Sequence, residues 1–291
     1  MSIKHPIIAI TGSSGAGTTS VKRTFEQIFR REKINAVYIE GYAFHRWNCT
    51  EMREKMREAA TRGDNHYSHF GPDANLFADL DRTCADYAKK GTGLTRTYIH
   101  DAVEAEQHGA APGNFTPWRE FEPGSDLLFY EGLHGCVQAG DIDVSKHVDL
   151  RLGVVPVINL EWIQKLHRDK ASRGYSTEAV TDTILQRMPD YINYICPQFT
   201  KTDINFQRVP TVDTSNPFIA RWIPTADESI VVIRFRDPHG IDFPYLLSMM
   251  DGSFMSRANS IVIPGGKMEL AMQFILTPLI LKLIEKRRRA L

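Results

Sequence analysis

Residues Gly12 to Ser20 read GSSGAGTTS, a G-x-x-x-x-G stretch followed by Thr18 and Thr19. That pattern suits a polyphosphate. Gly12, Gly15 and Gly17 permit backbone geometry closed to other residues, so the N–H groups of Ser13, Ser14, Ala16 and their neighbours can converge on phosphate oxygens. The start of the following helix adds positive potential at the same point. The hydroxyl of Thr19 stands where a phosphate loop ligates Mg²⁺. A Gly/Ser turn holding no ligand is the plain alternative, but a strand before and a helix after favour the phosphate. One part is missing. Thr18 occupies the place of the motif's lysine, and without that point charge the transferring phosphoryl group needs another cation. Lys165, Arg168 and Arg173, in QKLHRDKASRG, are the candidates.

Two other positions carry acids where such chemistry needs them. Glu131 ends the apolar run of LLFYEGLHG, and parallel strands deliver their C-terminal ends to a ligand crevice. An acid there can orient Mg²⁺, directly or through water. Asp169 lies one residue after Arg168 and four after Lys165, so on a helix the three share a face. Two cations and an acid suit a sugar phosphate, a triphosphate and their metal ion. A solvated, salt-bridged surface helix uses the same spacing, and only the preceding phosphate loop tips the balance.

The elements that must position these groups follow from hydrophobic patterning. PIIAI, NAVYIE, SDLLFYEG and DLRLGVVP read as buried strands, with ESIVVIRFRDP a further strand closed by Pro238. TSVKRTFEQIFRREK places Val21, Phe25, Ile28 and Phe29 on one helical face. LEWIQKLHRDKASRG reads as an amphipathic helix. YSTEAVTDTILQRMPDYINYI reads as another, with a loose capping box at Ser176. The polar, His-rich segment from Cys49 to Phe121, with a helix in FADLDRTCADYAKK, reads as an insertion over the sheet edge. The last helix, KMELAMQFILTPLILKLIEKRRRAL, should kink or break at Pro278 and end in a solvated basic tail, Lys286 to Arg289. The expected fold is one α/β domain over residues 1–291. It has a mostly parallel sheet flanked by helices, with insertions and an antiparallel extension, like P-loop kinases.

Composition narrows the classes. The chain has 291 residues, 35 basic and 35 acidic, with zero formal net charge, which argues against a general nucleic-acid partner. No apolar run reaches about 18 residues, and MSIKHPIIAI lacks the regions of a signal peptide. Neither a membrane span nor secretion is expected. Four scattered cysteines, Cys49, Cys84, Cys136 and Cys196, with no C-x-x-C, suit a reduced, cytoplasmic protein without a zinc site.

TGSSGAGT, AFHR, TYIHD, FYEGLHG, VVPVINLEWIQKLHRD, TDINFQRVP, VDTSNPFIARWIPTADES, IDFPYLL and SRANSIV together resemble the bacterial phosphoribulokinase family, from residue 3 to about residue 280. The resemblance implies transfer of the γ-phosphate of ATP, with Mg²⁺, to the C1 hydroxyl of ribulose 5-phosphate in the reductive pentose phosphate (Calvin) cycle. It also implies a homo-octamer and NADH as an allosteric activator. Bacterial members carry a threonine at the place of Thr18. By the same resemblance, Gly12 to Ser20 match the ATP site, and His45 with Tyr98 to His100 match the sugar-phosphate pocket. Glu131 and Asp169 match acids of the metal and nucleotide, and Lys165 matches the cation serving for the absent loop lysine. Arg168 and Arg173 match substrate contacts, and Arg234 and Arg257 the effector region. Redox-switched plant relatives have a cysteine where Ala16 stands here, so thiol control of that kind is not expected.

Three positions depart from the family's pattern. Tyr42 stands in GYAFHR where the family has an aspartate, its presumed general base. A phenol with a pKa near 10 stays protonated at neutral pH, and losing a positioned base costs a factor of about 10²–10⁴. Cys49 replaces an arginine, and Gln186 stands beside Arg187 where paired arginines are usual. Three readings remain open: a phosphoribulokinase with an impaired or rerouted base (Asp169 or a water), a kinase for another small hydroxyl acceptor, and a nucleotide-binding regulatory or structural subunit without turnover.

Overall fold

A computed structural model describes residues 3–12 and 18–291, without the side chains of residues 18–20, 172 and 173. The chain runs β1 (Ile7–Gly12), α1 (Thr18–Glu32), β2 (Ala36–Glu40), α2 (Cys49–Thr61), α3 (Phe77–Lys90), β3 (Leu94–Thr95), α4 (Ala102–His108), β4 (Arg119–Glu120), β5 (Leu127–Gly132), β6 (Gln138–Ala139) and β7 (Ile142–Asp143). It continues through β8 (Leu150–Val155), α5 (Ile158–Arg173), α6 (Thr177–Asp190), β9 (Ile204–Pro210), β10 (Ser229–Phe235), α7 (Phe243–Met249), β11 (Phe254–Arg257), β12 (Ser260–Pro264) and α8 (Met268–Ala290).

Eight strands form one sheet in the order β11-β12-β10-β9-β8-β1-β5-β2. The pairings β2–β5, β5–β1, β1–β8 and β8–β9 are parallel. Those of β9–β10, β10–β12 and β12–β11 are antiparallel. The parallel half therefore sends the ends of β1, β5, β2 and β8 to one edge, and β2 is the outermost strand there.

Alternation along the strands divides the core between two faces. Ile8, Ile10 and Phe129 pack with Val21, Phe25 and Phe29 of α1 and with Met272, Ile275 and Ile280 of α8. Ile7, Ala9, Leu128 and Tyr130 pack on the opposite face with Phe77, Leu80 and Tyr87 of α3. The His-rich insertion thus covers a face of the sheet through α3, rather than only its edge.

Three expectations change. α8 runs through Pro278 as one continuous helix. Ile275, Leu276, Ile280 and Ile284 are buried along it. Burying such side chains contributes roughly 1.5–3 kcal/mol each, which outweighs the approximately 3 kcal/mol cost of an interior proline. The basic end of α8 is not wholly solvated, because Arg287 pairs with Asp126 at 3.1 Å and donates to the Ser125 carbonyl. Finally, the helix beginning after Ser176 does not continue as one α-helix to Ile195. Pro189 precedes its end at Asp190, and the chain proceeds through a π turn (Tyr191–Ile195) and a 3-10 turn (Cys196–Thr200). Ser176 does cap the start, its hydroxyl accepting from the Ala179 N–H.

Candidate active site

Parallel register assembles the acidic side of the crevice. Glu131 on β5 pairs in register with Ile10 of β1 on one side and with Glu40 of β2 on the other. Two carboxyl-bearing residues therefore sit on adjacent strand ends, near the end of β1. Gly41 and Gly132 let the chain turn there. A Cβ on Gly41 would lie 2.7 Å from the Tyr130 hydroxyl, and one on Gly132 would lie 2.7 Å from the Gly41 Cα. Lys22, one turn into α1, donates to Glu40 at 2.6 Å and also faces Glu131. Those two attractions hold its ammonium charged above the usual lysine range, against the desolvation that is the largest single influence.

Beyond β2 the turn Gly41–Phe44 carries Tyr42 and leads to His45. Tyr42 stacks on Tyr98 with ring centroids 5.6 Å apart, meets His100 edge-on at 4.8 Å, and lies 5.3 Å from His45. Arg96 clamps this turn from behind, donating to the carbonyls of Ala43 and His45. Its guanidinium lies 3.7 Å from the Phe115 ring centroid and 4.6 Å from that of Trp118. Tyr98 bridges to Phe115 across a short antiparallel contact. The structure thus brings His45, Tyr98 and His100 together around Tyr42.

The basic side comes from α5 and α6. Lys165 donates to Asp169 at 2.5 Å, and Arg168 reaches the other carboxylate oxygen at 3.4 Å. Asp169 is only 2% exposed. Burial, and then the positive charge of Arg187 on α6, pull the Lys165 ammonium below the ordinary lysine range, while Asp169 opposes them. Arg187 also faces His45, which links the two sides of the crevice. Gln186 donates to the Tyr67 carbonyl at 3.2 Å and so tethers the insertion. Cys49 begins α2, with Asn48 and Glu51 forming a reciprocal cap.

Of the other sequence candidates, Ser13, Ser14, Gly15, Ala16 and Gly17 lie outside the described residues, as do the side chains of Thr18, Thr19, Ser20 and Arg173. Gly12 ends β1. Arg234 and Arg257 both register with Ser260 of β12, on β10 and β11 respectively. They stand at the sheet edge opposite the crevice, because β10 runs back from it. Glu40, Lys22 and Arg96 were not singled out in the sequence. Glu40 had a usable signal, since it ends an apolar strand just as Glu131 does. For Lys22 and Arg96 the partners are far apart in the chain, and spacing says nothing of them.

Mg²⁺ takes hard oxygen ligands and keeps water and phosphate oxygens, binding through one or two carboxylates rather than a protein cage. Glu131 at the end of β5 fits that demand, whereas Glu40 is engaged by Lys22 at 2.6 Å. No cluster of three or more His, Cys, Asp or Glu able to hold a metal occurs among the described residues.

Two buried imidazoles give the site a stability signature. Burial, with Arg96 and Arg187 nearby, lowers His45 to about 4. Burial, with His45 beside it, lowers His134 to about 3. Between pH 6.5 and those values the unfolded chain binds protons that the folded chain refuses. Stability therefore rises with pH across this window and is lost as the solution is acidified, by at most about 1.4 kcal/mol per pH unit for each ring. Denaturant titrations at pH 7, 6 and 5 should show this decline. The double variant His45→Asn with His134→Gln should flatten it, and an unchanged slope would mean other groups cause it.

The Phosphoribulokinase / Uridine kinase family model matches residues 7–215. The chain belongs to that family. Its match to this phosphoribulokinase and uridine kinase family covers every parallel strand and both sides of the crevice. The chain is 69% identical over 287 residues to the phosphoribulokinase of Nitrobacter vulgaris, covering 99% of each chain. It is 67% identical over 290 residues to that of Xanthobacter flavus, covering all of both. The solved phosphoribulokinase from Rhodobacter spheroides superposes with a TM-score of 0.92 at 60% identity, covering 99% of this chain and 100% of that one.

Proposed function

We propose that this chain is an ATP-dependent sugar-phosphate kinase that moves the γ-phosphate of ATP to the C1 hydroxyl of ribulose 5-phosphate, a step of the Calvin cycle. The observation that carries this reading is the end-to-end match, at 60% identity or more, to proteins named phosphoribulokinase. The strand-end crevice supplies a physical route. Gly12 to Ser20 hold the triphosphate through backbone amides. Thr19, Glu131 and Asp169 would hold Mg²⁺. When bound, the metal neutralises charge on the phosphate oxygens. Lys165 provides the positive charge missing from the loop. Arg168 and Arg173 bind the sugar phosphate, with His45, Tyr98 and His100 shaping its pocket.

The reading extends further in coarser form. The chain works in the cytoplasm as a homo-oligomer, an octamer by family likeness, each subunit a single domain over residues 1–291. NADH acts as an activator at Arg234 and Arg257, which both register with Ser260 of β12. No helix among the described residues is long and apolar enough to cross a membrane. Tyr42 favours one rival, a nucleotide-binding subunit without turnover.

Two measurements decide. Mg²⁺–ATP should raise the melting temperature of the chain by several degrees; no shift would remove both the kinase and the nucleotide-binding readings. A coupled ADP-release assay over a panel of pentose phosphates should show turnover highest on ribulose 5-phosphate. Binding without turnover on any sugar would favour the silent subunit.

A further inference from the structure

Resting on the kinase reading, we infer that His100 is the group that takes the proton from the acceptor hydroxyl, with Glu40 as the positioning residue that fixes its tautomer. Several groups surround Tyr42. Its phenol is a poor proton acceptor at neutral pH. His45 is 8% and His134 4% exposed, and His134 is held to the Phe70 carbonyl; a proton placed on either ring would be stranded in the interior. Asp169 is spanned by Lys165 and Arg168. Glu131 belongs to the metal side of the crevice.

His100 differs in each respect. Its side chain is 37% exposed, so a proton taken up can leave to solvent. It meets the Tyr42 and Tyr98 rings at 4.8 and 4.9 Å, so it borders the same aromatic pocket. Its Nε2 lies 4.0 Å from a Glu40 carboxylate oxygen. That separation is beyond a hydrogen bond, but such bonds in unliganded sites commonly tighten when substrate binds.

The backbone around His100 is held firmly. The His100 N–H donates to Glu104 at 2.7 Å, Asp101 caps α4 by accepting from Val103 and Glu104, and Ile99 exchanges hydrogen bonds with Asn114 and Gly113. The charged and titratable groups around the ring include Glu40 and, behind it, Lys22, the carboxylates of Glu104 and Asp101 at the start of α4, and the phenols of Tyr42 and Tyr98.

The arrangement follows the logic by which a carboxylate orients a histidine base. Glu40 accepts from Nε2–H and leaves the Nδ1 lone pair toward the pocket. As the acceptor oxygen bonds to the γ-phosphorus, the bond from that phosphorus to the β,γ-bridging oxygen breaks and its electron pair departs with ADP. The hydroxyl proton passes to Nδ1. The resulting imidazolium, stabilised by Glu40, then releases a proton to water.

The test compares kcat, KM and pH profiles on ribulose 5-phosphate for the parent, His100→Asn, Glu40→Gln and the double variant His100→Asn with Tyr42→Asp. His100→Asn should lower kcat about 10²-fold, erase the acid limb of the profile, and leave the Mg²⁺–ATP-induced rise in melting temperature intact. Glu40→Gln should lower kcat about tenfold and move the acid limb to lower pH. A carboxylate at position 42 should restore at least part of the loss in the double variant. His100→Asn with an unchanged kcat, a raised KM alone, or an unaltered acid limb would overturn the assignment and leave the kinase reading standing. A parent chain that binds Mg²⁺–ATP yet turns over nothing would overturn the kinase reading, and the assignment with it.

Discussion

Replacing Lys165 with methionine should lower kcat by about 10³-fold while leaving the KM for ATP within a few-fold. A phosphate loop without its lysine has backbone dipoles to hold the triphosphate but no mobile charge to follow the phosphoryl group in flight. Binding and chemistry are therefore expected to separate. On the proposed function the amides at Gly12 to Ser20 would retain the nucleotide and the ammonium would act chiefly in the transition state, where one positioned donor is worth roughly 10²–10³ and a phosphoryl-stabilising cation more. Lys165 is suited to the task by its surroundings. It is 13% exposed, so its charge is weakly screened. Its contact with Asp169 opposes the burial and the Arg187 charge that pull the ammonium below the ordinary lysine range. Steady-state kinetics on the purified variant would check this. An unchanged kcat would mean that the missing charge comes from elsewhere.

Asp169→Ala should destabilise the fold by about 3–5 kcal/mol, the usual result of deleting one partner of a buried ion pair. The loss arises because Lys165 would remain buried near Arg187 and Arg168 without the carboxylate that now pairs with it. Urea denaturation would read the change as a lower midpoint with an unaltered slope. Adding Lys165→Met to Asp169→Ala should return much of the stability and none of the activity. If the single variant unfolds at the parent's midpoint, the pair carries no structural weight.

The parallel half of the fold was legible because its strands are short apolar runs, each followed by a helix, and that alternation has few solutions. Glu131 and the Lys165–Asp169 spacing could be read for the same reason, as each lies within one element whose geometry is fixed. Tyr42, His45, Tyr98 and His100 were harder. They meet through a turn after β2 and a loop between short strands, and the Arg96 clamp that gathers them spans about fifty residues. No periodicity records such a contact. Pro278 differs: local propensity argued for a kink or a break, and the apolar face of α8 carries the helix through without a break.

The acidic wall of the crevice is built unevenly. β1 and β5 have strands on both sides, whereas β2, which delivers Glu40 and leads into Tyr42, has a neighbour on one side only. Interior strands resist change because any shift must be absorbed by two ladders; a border strand answers to one. On the proposed function, the nucleotide end is thereby braced on both sides, while the end that would greet the sugar can be retuned. An unusual residue at position 42 falls where the architecture tolerates experiment best.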